Sequence, residues 1–567
     1  MAESEPVWWQ RGVVYQIYPR SFQDSNGDGI GDLRGVIQRL DYLGQALGVD
    51  AIWLSPFYPS PMADFGYDVS NYCDVHPIFG DLATFDELVE EAHRRGLKII
   101  IDFVPNHTSD RHPWFLESRS SRTNPKRDWY VWAEGRGGPF RGRVPSGCRS
   151  SGGPQSMAAH SSPPNNWLSM FGGSPWEWDE ATGQYYLHTY LKEQPDLNWR
   201  NPEVKEAMLD VMRFWLDRGV DGFRIDAILH IMKDPALRDN PPNPGGRIVL
   251  GNPPLPEYDS QLHVHDQAHP DIHRVFHEMR QVLDEYGTKQ PRMGIGEMDV
   301  FDWRVWAGYY GVHLDELHMP FNFGLLRVPW AAQAVRGVVD SLEAAIPPGA
   351  WPNYVLSNHD VPRTASRVGP AQVRVAMMLL LTLRGTPTVY YGEEIGMTDV
   401  PIAPEQVQDP LERQLPALGR DPERTPMQWD PSPNAGFCPP GVEPWLPAAA
   451  DYQPINVAVE REDSHSMLSL TQALLGLRRS TPALSRGSYQ PLEPASPDCF
   501  VFLREHDGVR CLVALNFSDN EQTVAAPQLG SGSIALTTHL DRRGEVHLAL
   551  LELRSNEGCI VQLAERG

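Results

Sequence analysis

Three carboxylate residues each stand at the end of a short apolar segment: Asp226, Glu297 and Asp360. If the segment around Asp226 is a strand, side-chain alternation places Arg224 on the same face as Asp226. A guanidinium beside a carboxylate lowers the pKa of the acid, and a carboxylate kept ionised at neutral pH can act as a nucleophile. A buried ion pair with only a structural role would leave the same pattern, so this segment alone does not decide between the two.

The elements around these residues alternate between strands and helices. Strand-like segments occur near residues 13–22, 51–56, 97–104, 222–226, 293–297, 316–321, 353–360 and 387–392, mostly separated by helical patterns. Eight such repeats predict an α/β fold, a (β/α)8 TIM barrel, with the strands parallel. Residues 108–180 break the pattern, and from residue 487 the chain shows short alternating strands.

We therefore predict four segments. Residues 1–107 and 181–486 form the barrel, residues 108–180 an irregular domain inserted after the third strand, and residues 487–567 a C-terminal antiparallel β-sandwich domain. In such a barrel the carboxyl ends of the strands meet at one face, where the active site lies. The three acids, together with His107, His359 and Arg224, are expected to converge there.

Two chemistries use clustered acids and histidines. A metal centre would combine imidazoles and carboxylates, and His263 and His265 form an H-x-H pattern, but they fall in an irregular segment and are interpreted as loop residues. In glycoside cleavage, one acid protonates the leaving oxygen while a second attacks the anomeric carbon. The 17 Trp and 19 Tyr residues suit stacking against sugars, although composition alone is weak support.

A Gly-rich loop near the N-terminus predicts a cation site. Hard cations prefer several oxygen ligands around one point, and carboxylates at alternate positions of a tight loop supply them. The predicted ligands are the side chains of Asp24, Asn26, Asp28 and Asp32 with the carbonyl of Ile30. Ca²⁺ in a structural role is expected, with Mg²⁺ as the alternative and a solvated acidic turn as the simpler explanation. No organic cofactor is expected.

Four ordered motifs resemble those of the α-amylase family of glycoside hydrolases, glycoside hydrolase family 13. They are residues 102–107, residues 222–227, Glu297 and residues 357–360. The resemblance implies that Asp226 is the nucleophile, Glu297 the general acid/base and Asp360 the acid that stabilises the transition state. It further implies that Arg224 keeps Asp226 ionised and that His107 and His359 bind the sugar.

Further segments resemble the oligo-1,6-glucosidase and α-glucosidase branch of that family. Residues 194–198 match a signature of this branch, and Asp64, Tyr67 and Arg424 match positions that close the pocket around the terminal glucose. A closed pocket implies exo cleavage of short oligosaccharides. The residue after the nucleophile is Ala227, where Val accompanies α-1,6 and Thr accompanies α-1,4 cleavage in this branch, so the linkage stays open.

Charge and cysteine content limit the partners and the compartment. The 567-residue chain has a net charge of −24 without a long basic run, which argues against nucleic acid or an anionic membrane as a partner. It shows no secretion signal or membrane-spanning run, and its six scattered cysteines suit reduced thiols, so a cytoplasmic location is expected. The expected partner is a small oligosaccharide, and monomer or homodimer is left undetermined.

The resulting expectation is a retaining exo-α-glucosidase that releases terminal glucose from short α-linked oligosaccharides by double displacement. The alternative within the superfamily is a transglucosylase or sugar isomerase, similar to a trehalose or isomaltulose synthase. A catalytically inactive relative that serves as a binding or transporter subunit is disfavoured because all three acids are present. An endo-acting amylase is disfavoured by Asp64, Tyr67 and Arg424.

Overall fold

A computed structural model of the protein describes residues 6–136, 162–244, 257–287, 290–415, 418–494 and 496–564. Strands β1 to β19 are Val14–Ile17, Ala51–Leu54, Lys98–Phe103, Trp132–Ala133, Trp176–Asp179, Gln184–Leu187, Gly222–Ile225, Met293–Gly296, Met319–Pro320, Asn353–Val355, Thr386–Tyr390, Ser488–Leu492, Cys499–His506, Val509–Asn516, Gln522–Val524, Ser531–Thr537, Gly544–His547, Leu551–Leu553 and Gly558–Leu563.

Helices of the α type connect and cover these strands. Helices α1 to α16 are Trp8–Arg11, Pro19–Phe22, Leu33–Gln38, Leu82–Arg94, Pro113–Ser120, Pro202–Asp217, Ile272–Tyr286, Trp303–Gly308, Gly324–Arg327, Ala332–Ala345, Thr364–Val368, Val373–Thr382, Pro410–Gln414, Val457–Glu462, Met467–Ser480 and Pro482–Arg486. Short 3-10 turns are Arg127–Trp129, Ile228–His230, Tyr258–Ser260, Glu393–Ile395, Pro404–Gln406, Asp421–Arg424, Pro433–Gly436 and Pro527–Leu529.

Eight strands form the parallel sheet of the barrel in the order β10-β11-β1-β2-β3-β7-β8-β9. Every adjacent pair in this sheet is parallel. The predicted TIM barrel is thereby confirmed. Between β9 and β10 the contact is made by amide side chains: the Asn353 amide donates to the Pro320 carbonyl at 2.6 Å, and the Asn322 amide donates to the Asn353 carbonyl at 3.2 Å.

Local sequence features explain where these elements begin and how they pack, as helix α6 and strand β7 show. Helix α6 begins with Pro202 at its first turn, and the Asn201 side chain accepts a hydrogen bond from the Glu203 amide. Its apolar residues, including Met208 and Trp215, are buried against the sheet. The next strand, β7, begins at Gly222, where a Cβ atom would lie 2.7 Å from the Met293 carbonyl oxygen, so close packing against β8 requires glycine.

A small antiparallel sheet follows the third barrel strand. It has the order β4-β6-β5 and packs with Trp167 and Trp176 in a separate apolar cluster. Strand β6 ends at Leu187, a few residues beyond the predicted boundary at residue 180. Much of the Gly- and Ser-rich stretch within this predicted domain, residues 137–161, lies outside the described residues, as does Cys148.

The C-terminal part of the chain is entirely antiparallel. Its six-stranded sheet has the order β12-β13-β14-β19-β16-β17, and β15 pairs with β18. Apolar residues of both sheets, such as Val501, Val524 and Leu551, share one buried cluster. The opposite face of the larger sheet contributes Phe500 and Val513 to the barrel core, so the two parts pack together.

Several predicted elements differ in extent. The first strand stops at Ile17 because Pro19 begins the short helix α2. Residues 33–47 have a helical periodicity in the sequence, and in the structure they contain α3 and a π-helix, Tyr42–Leu47. The predicted strand at residues 316–321 contracts to β9. Among the described residues, no helix has the length and apolar character needed to cross a membrane.

Candidate active site

The three predicted acids follow strands of the barrel, Asp226 and Glu297 the neighbouring strands β7 and β8, and Asp360 strand β10. The Asp226 amide donates to the Phe103 carbonyl and the Glu297 amide to the Ile225 carbonyl, each at 2.8 Å, so the parallel ladder continues one residue beyond β7 and β8. Asp360 follows β10 after the turn at residues 356–359. The strand ends therefore deliver these side chains to one face, as predicted.

Arg224 binds three carboxylates at once. Its Nη1 lies 2.6 Å from Oδ1 of Asp102 and 2.7 Å from Oδ1 of Asp226, and its Nη2 lies 2.5 Å from Oε1 of Glu297. The arginine side chain is only 2% exposed. One buried positive charge thus balances carboxyl groups from β3, β7 and the end of β8.

The charge balance changes the ionisation of Asp226. Burial raises the pKa of Asp226 well above its usual range, and the nearby carboxyl groups of Glu297 and Asp102 raise it further, while Arg224 offsets this only in part. Asp226 therefore holds a proton more tightly than an exposed carboxyl group does.

The ion pair between Arg224 and Asp226 expected from the sequence is present, and Arg224 lowers the pKa of Asp226, against the opposing effects of burial and of two further carboxyl groups. Sequence spacing revealed one carboxylate beside the arginine, whereas the fold brings two more from other strands. Burial also raises the pKa of Asp102, to about 6, against the opposing effect of Arg224.

The backbone after Asp226 also contacts Glu297. Ala227 has a left-handed conformation with φ of 47°, which is unusual for a residue with a side chain. Its amide donates to Oε2 of Glu297 at 3.0 Å. Glu297 is therefore held at both oxygens, by Arg224 and by the main chain of Ala227.

Asp360 has a contrasting environment with two arginines. Oδ1 of Asp360 lies 2.6 Å from Nη2 of Arg424 and 3.2 Å from Nη1 of Arg420, and Oδ2 lies 3.1 Å from Nε2 of His359. Burial opposes ionisation, but His359, Arg424 and Arg420 together keep the pKa of Asp360 well below its usual range. Asp360 is consequently ionised throughout the physiological pH range.

The two predicted histidines are neutral and fully engaged. Burial lowers the pKa of His359 to about 3 and that of His107 to about 4. Nδ1 of His359 lies 2.7 Å from the amide nitrogen of Gln16, which can only donate, so the ring carries its hydrogen on Nε2. That Nε2 lies 2.6 Å from Oη of Tyr67, whose ring stacks on the imidazole.

Asp64, Gln194 and His107 form a second polar wall. The Gln194 amide lies 3.0 Å from Nε2 of His107 and donates to Oδ2 of Asp64 at 3.2 Å. Asn106, beside His107, donates to Oδ1 of Asp196 and accepts from the buried Lys233, whose Nζ lies 2.5 Å from Oδ2 of Asp196. The segment at residues 194–198 thus holds the end of β3 in place.

Arg420 belongs to the site but was not predicted. Its Nη2 lies 2.9 Å from Oδ1 of Asp64 and 2.8 Å from Oδ1 of Asp409, and its Nη1 contacts Asp360. The arginine therefore joins the Asp64 wall to the Asp360 wall. No spacing signal distinguished it, because Arg424, four residues later, already matched the expected position.

These side chains surround a cavity of about 320 Å³. Arg224, His359 and Arg424 lie behind this surface and bind the residues that line it. The lining residues are Asp64, Tyr67, His107, Met170, Phe171, Tyr190, Gln194, Asp226, Ala227, Leu229, His230, Tyr258, Asp259, Gln267, Glu297, Met298, Asp299, Arg327, Asp360, Leu411, Leu418 and Arg420.

The predicted cation loop is a turn in which Asp24 and Asp32 are buried and Asn26 and Asp28 are exposed. The buried Asp24 carboxylate accepts hydrogen bonds from the amides of Asn26, Gly27 and Gly29, and Asp28 accepts one from Ile30. Asp32 accepts from Ser25 and caps helix α3 through the Gly35 amide. Within the described ranges, no group of three or more His, Cys, Asp or Glu residues has the arrangement of a metal site.

The H-x-H pattern lies in a loop, as interpreted from the sequence. His263 contacts Asp266 through Nδ1 at 2.7 Å and the Tyr258 carbonyl through Nε2 at 2.8 Å, and its ring stacks on Tyr258. Both ring nitrogens are therefore used within the protein. His265 faces Asp234, with 3.7 Å between Nδ1 and Oδ2.

Comparisons with known proteins agree with this geometry. Residues 16–487 match the family model for the alpha amylase catalytic domain. The chain is 43% identical over 538 residues to a probable alpha-glucosidase of Rhizobium meliloti, covering 93% of this chain and 92% of the relative. It is 39% identical over 561 residues to an oligo-1,6-glucosidase of Parageobacillus thermoglucosidasius, covering 92% of each.

A solved structure supports the same assignment. The alpha-glucosyl transfer enzyme XgtA superimposes with a TM-score of 0.88 at 41% identity, covering 99% of this chain and 100% of the other. The shared sequence, the parallel barrel and the three acids at its strand ends agree. The chain belongs to the alpha-amylase family of glycoside hydrolases.

Proposed function

We propose that the protein is a retaining exo-acting α-glucosidase that releases terminal glucose from short α-linked oligosaccharides. The observation that carries the proposal is the placement of Asp226 and Glu297, both bound to Arg224, in one cavity with Asp360. Two carboxyl groups on neighbouring strand ends suit a double displacement. The relatives named alpha-glucosidase and oligo-1,6-glucosidase support the same activity.

In the first step, Asp226 attacks the anomeric carbon while Glu297 gives its proton to the glycosidic oxygen, which departs as an alcohol. In the second step, Glu297 takes a proton from water, whose oxygen displaces Asp226 from the sugar. This step requires Glu297 to carry a proton and Asp226 to be ionised when the substrate is bound. Asp360, kept ionised by two arginines, stabilises the positive charge of the transition state.

The shape of the cavity supports exo cleavage. Arg420 bridges Asp64 and Asp360, and Gln194 joins Asp64 to His107, so hydrogen-bonded side chains close one side. A terminal glucose fits against this wall with its hydroxyl groups facing charged partners, whereas a continuing chain would have to displace them. A small oligosaccharide is therefore the proposed substrate.

Transfer of glucose to another sugar is the second candidate. The covalent intermediate can react with water or with an acceptor hydroxyl. The specific support is the similarity to XgtA, described as an alpha-glucosyl transfer enzyme, at 41% identity over 99% of this chain. Ala227 leaves space beside the nucleophile and fixes neither the linkage nor the acceptor.

The experiment is a time course of products from maltose, isomaltose, trehalose and sucrose, with Asp226→Asn as the inactive control. We expect free glucose from at least one of these sugars and none with the variant. A new disaccharide with little glucose would move the protein to the transferring branch. Turnover of none of them would contradict the proposal, and activity that persists in Asp226→Asn would contradict the role of Asp226.

We also infer that the loop at residues 24–32 binds Ca²⁺. Its support is the set of hard oxygen donors, namely Asp24, Asn26, Asp28 and Asp32 with the Ile30 carbonyl, on a turn whose buried carboxylate already faces inward. A chelator should then lower the melting temperature of the protein, and Ca²⁺ should restore it more effectively than Mg²⁺. An unchanged melting temperature would contradict the inference.

A cytoplasmic location is part of the proposal. Its support is the five cysteines of the described residues, which are free thiols: Cys73, Cys438, Cys499, Cys511 and Cys559.

A further inference from the structure

A second cavity lies at the end of the barrel opposite the candidate active site. It has a volume of about 280 Å³ and is lined by the residues that precede β1, β2 and β3 together with helices α1 and α15. Active sites of this fold lie at the other end, where the strands terminate. This cavity therefore belongs to no step of the proposed reaction.

The lining of this cavity is strongly cationic in a protein of net charge −24. Four positively charged side chains line it, and Asp50 is the one carboxylate among its described lining residues; the four are Arg11, Lys98, Arg478 and Arg479. Concentrating positive charge in a concave site raises the local concentration of anions.

The available carboxylates neutralise these cations only in part, because Arg479 pairs with Asp50 and Lys98 with Asp221, whereas Arg11 and Arg478 have no carboxylate partner among the described residues. Asp50 accepts the Val13 amide at 2.9 Å and lies 3.2 Å from Nη2 of Arg479, so its two oxygens are already used. Lys98 shares the buried Asp221 with Arg292 and His93. The exposed Arg11 makes no ion pair in the part of the chain that the structure describes.

Arg478 adds a buried, incompletely satisfied cation. It is 1% exposed and donates only to backbone carbonyls, including those of Leu381 at 2.9 Å and Gly385 at 2.6 Å. Its Nε has no acceptor among the described residues. Burial lowers the pKa of Arg478 to about 10, which leaves it charged at neutral pH. A buried guanidinium without a carboxylate gains stability from an anion.

We propose that this barrel-floor cavity binds a small phosphate-bearing metabolite. Guanidinium groups bind phosphate oxygens in pairs, and Arg11 and Arg479 provide accessible groups at the rim while Arg478 provides the buried charge. A phosphate group alone fills only part of the volume, so the remaining space suits the body of a phosphate ester. The proposal is independent of the glucosidase assignment.

The test is calorimetric titration of the full-length protein with inorganic phosphate and, separately, with glucose 6-phosphate at matched ionic strength. Binding of both supports the site, and tighter binding of the ester identifies a phosphorylated metabolite as the natural ligand class. Arg11→Ala and Arg479→Ala should each weaken phosphate binding by about tenfold or more, the effect of losing a hydrogen bond to a charged group.

Two further variants separate electrostatics from misfolding. Asp50→Asn removes the carboxylate and keeps an acceptor for Val13, so it should tighten phosphate binding. Arg543→Ala removes an equally exposed arginine from the C-terminal sheets and should leave the affinity unchanged. No phosphate binding by the unaltered protein, equal heats with chloride, or unchanged affinity in both Arg11→Ala and Arg479→Ala would overturn the proposal. Glucosidase activity is measured on the same preparations. Because the two sites are separate, loss of phosphate binding leaves the glucosidase proposal standing, and absence of glucosidase activity leaves the phosphate proposal standing.

Discussion

One guanidinium, that of Arg224, contacts the carboxyl groups of Asp102, Asp226 and Glu297. Ionising all three would leave a net negative charge in a buried site, which is unfavourable. General acid catalysis requires one proton on the Asp226–Glu297 pair, and this charge balance favours keeping it there. The same cluster therefore supplies both a nucleophile and an acid, and substrate binding determines which carboxyl group, that of Asp226 or that of Glu297, carries the proton.

This charge balance predicts the pH dependence of activity. The rate should fall at low pH when the pair gains a second proton and at high pH when it loses its last one. Because the pKa of Asp226 is raised, the fall at high pH should begin well above the usual carboxylate range. A profile of kcat/KM against pH measures both limits, and a high-pH limit within the usual carboxylate range would contradict the raised pKa of Asp226.

Asp102→Asn tests the cause of the shift. The charge of Asp102 raises the pKa of Asp226, and its loss leaves more of Arg224 for the pair, so both effects move the high-pH limit of kcat/KM to lower pH. The control is Asp217→Asn, a carboxylate that binds Tyr286 away from the site. An unchanged or upward shift in Asp102→Asn, relative to this control, would exclude the three-acid cluster as the cause.

The sequence predicted the identities of the site residues better than their electrostatics. Asp226, Glu297 and Asp360 were recognisable because each ends an apolar strand or its following turn. The raised pKa of Asp226 was not predictable, since Asp102 and Glu297 are far from Arg224 in sequence and meet it only through the register of β3, β7 and β8. Their assigned catalytic roles stay predictions until variants are measured.

At the scale of elements, the segment from Asp409 to Arg424 closes the cavity. Asp409 caps helix α13 by accepting the Leu411 amide and also binds Arg420, which reaches Asp64 and Asp360. The paired side chains of Asp409 and Arg420 thus link a helix start to two cavity walls. Arg420 went unrecognised because its importance depends on this loop returning to the barrel, and not on a local pattern.

Arg420→Ala should impair both stability and substrate binding. It leaves the buried carboxylates of Asp409 and Asp64 without their cation, which costs about 3–5 kcal/mol of unfolding free energy. Loss of alignment in the cavity should lower kcat/KM by about a hundredfold. Denaturant unfolding and initial rates measure these effects.

Two further variants, one at Arg420 itself and one in the same segment, make this test specific. Arg420→Lys keeps the charge without the planar fork and should recover part of the stability. Arg413→Ala, in the same segment but exposed, should change neither quantity. If Arg420→Ala retained full stability and activity, the bridge between the two walls would have no functional role.

The boundaries of helices and strands agreed best with the sequence where the apolar runs are long. Strand β3 coincides with a nearly continuous apolar run, and α6 begins at Pro202, a residue typical of the first turn of a helix. Strand β9 was overestimated because it has only two residues with ladder contacts, and amide side chains complete that part of the barrel. The periodicity of residues 33–47 did not reveal the change from α-helix to π-helix.

At the scale of the whole molecule, the candidate active site and the cationic cavity lie at opposite ends of the barrel, and the C-terminal sheets pack against its side. The acids lie at one end, the cationic cavity lies at the other, and the C-terminal sheets pack beside helix α12. Gly558 marks this junction: a Cβ atom there would lie 2.7 Å from Sδ of Met378, 2.9 Å from Leu515 and 3.0 Å from Thr538. Met378 belongs to α12, so the glycine allows sheet and barrel to approach closely.

Gly558→Ala should therefore destabilise the protein by about 1–3 kcal/mol, the usual cost of overpacking a filled core. Gly476→Ala is the matched control, because it lies in helix α15 with no atom within 4 Å of its Cβ position, and it should stabilise by about 0.5–1 kcal/mol. Denaturant unfolding measures both. If the two parts unfold together, Gly558→Ala lowers the midpoint of a single transition, recorded equally by glucosidase activity and by circular dichroism. A transition in which activity survives the loss of the C-terminal sheets would show that the barrel is stable without them.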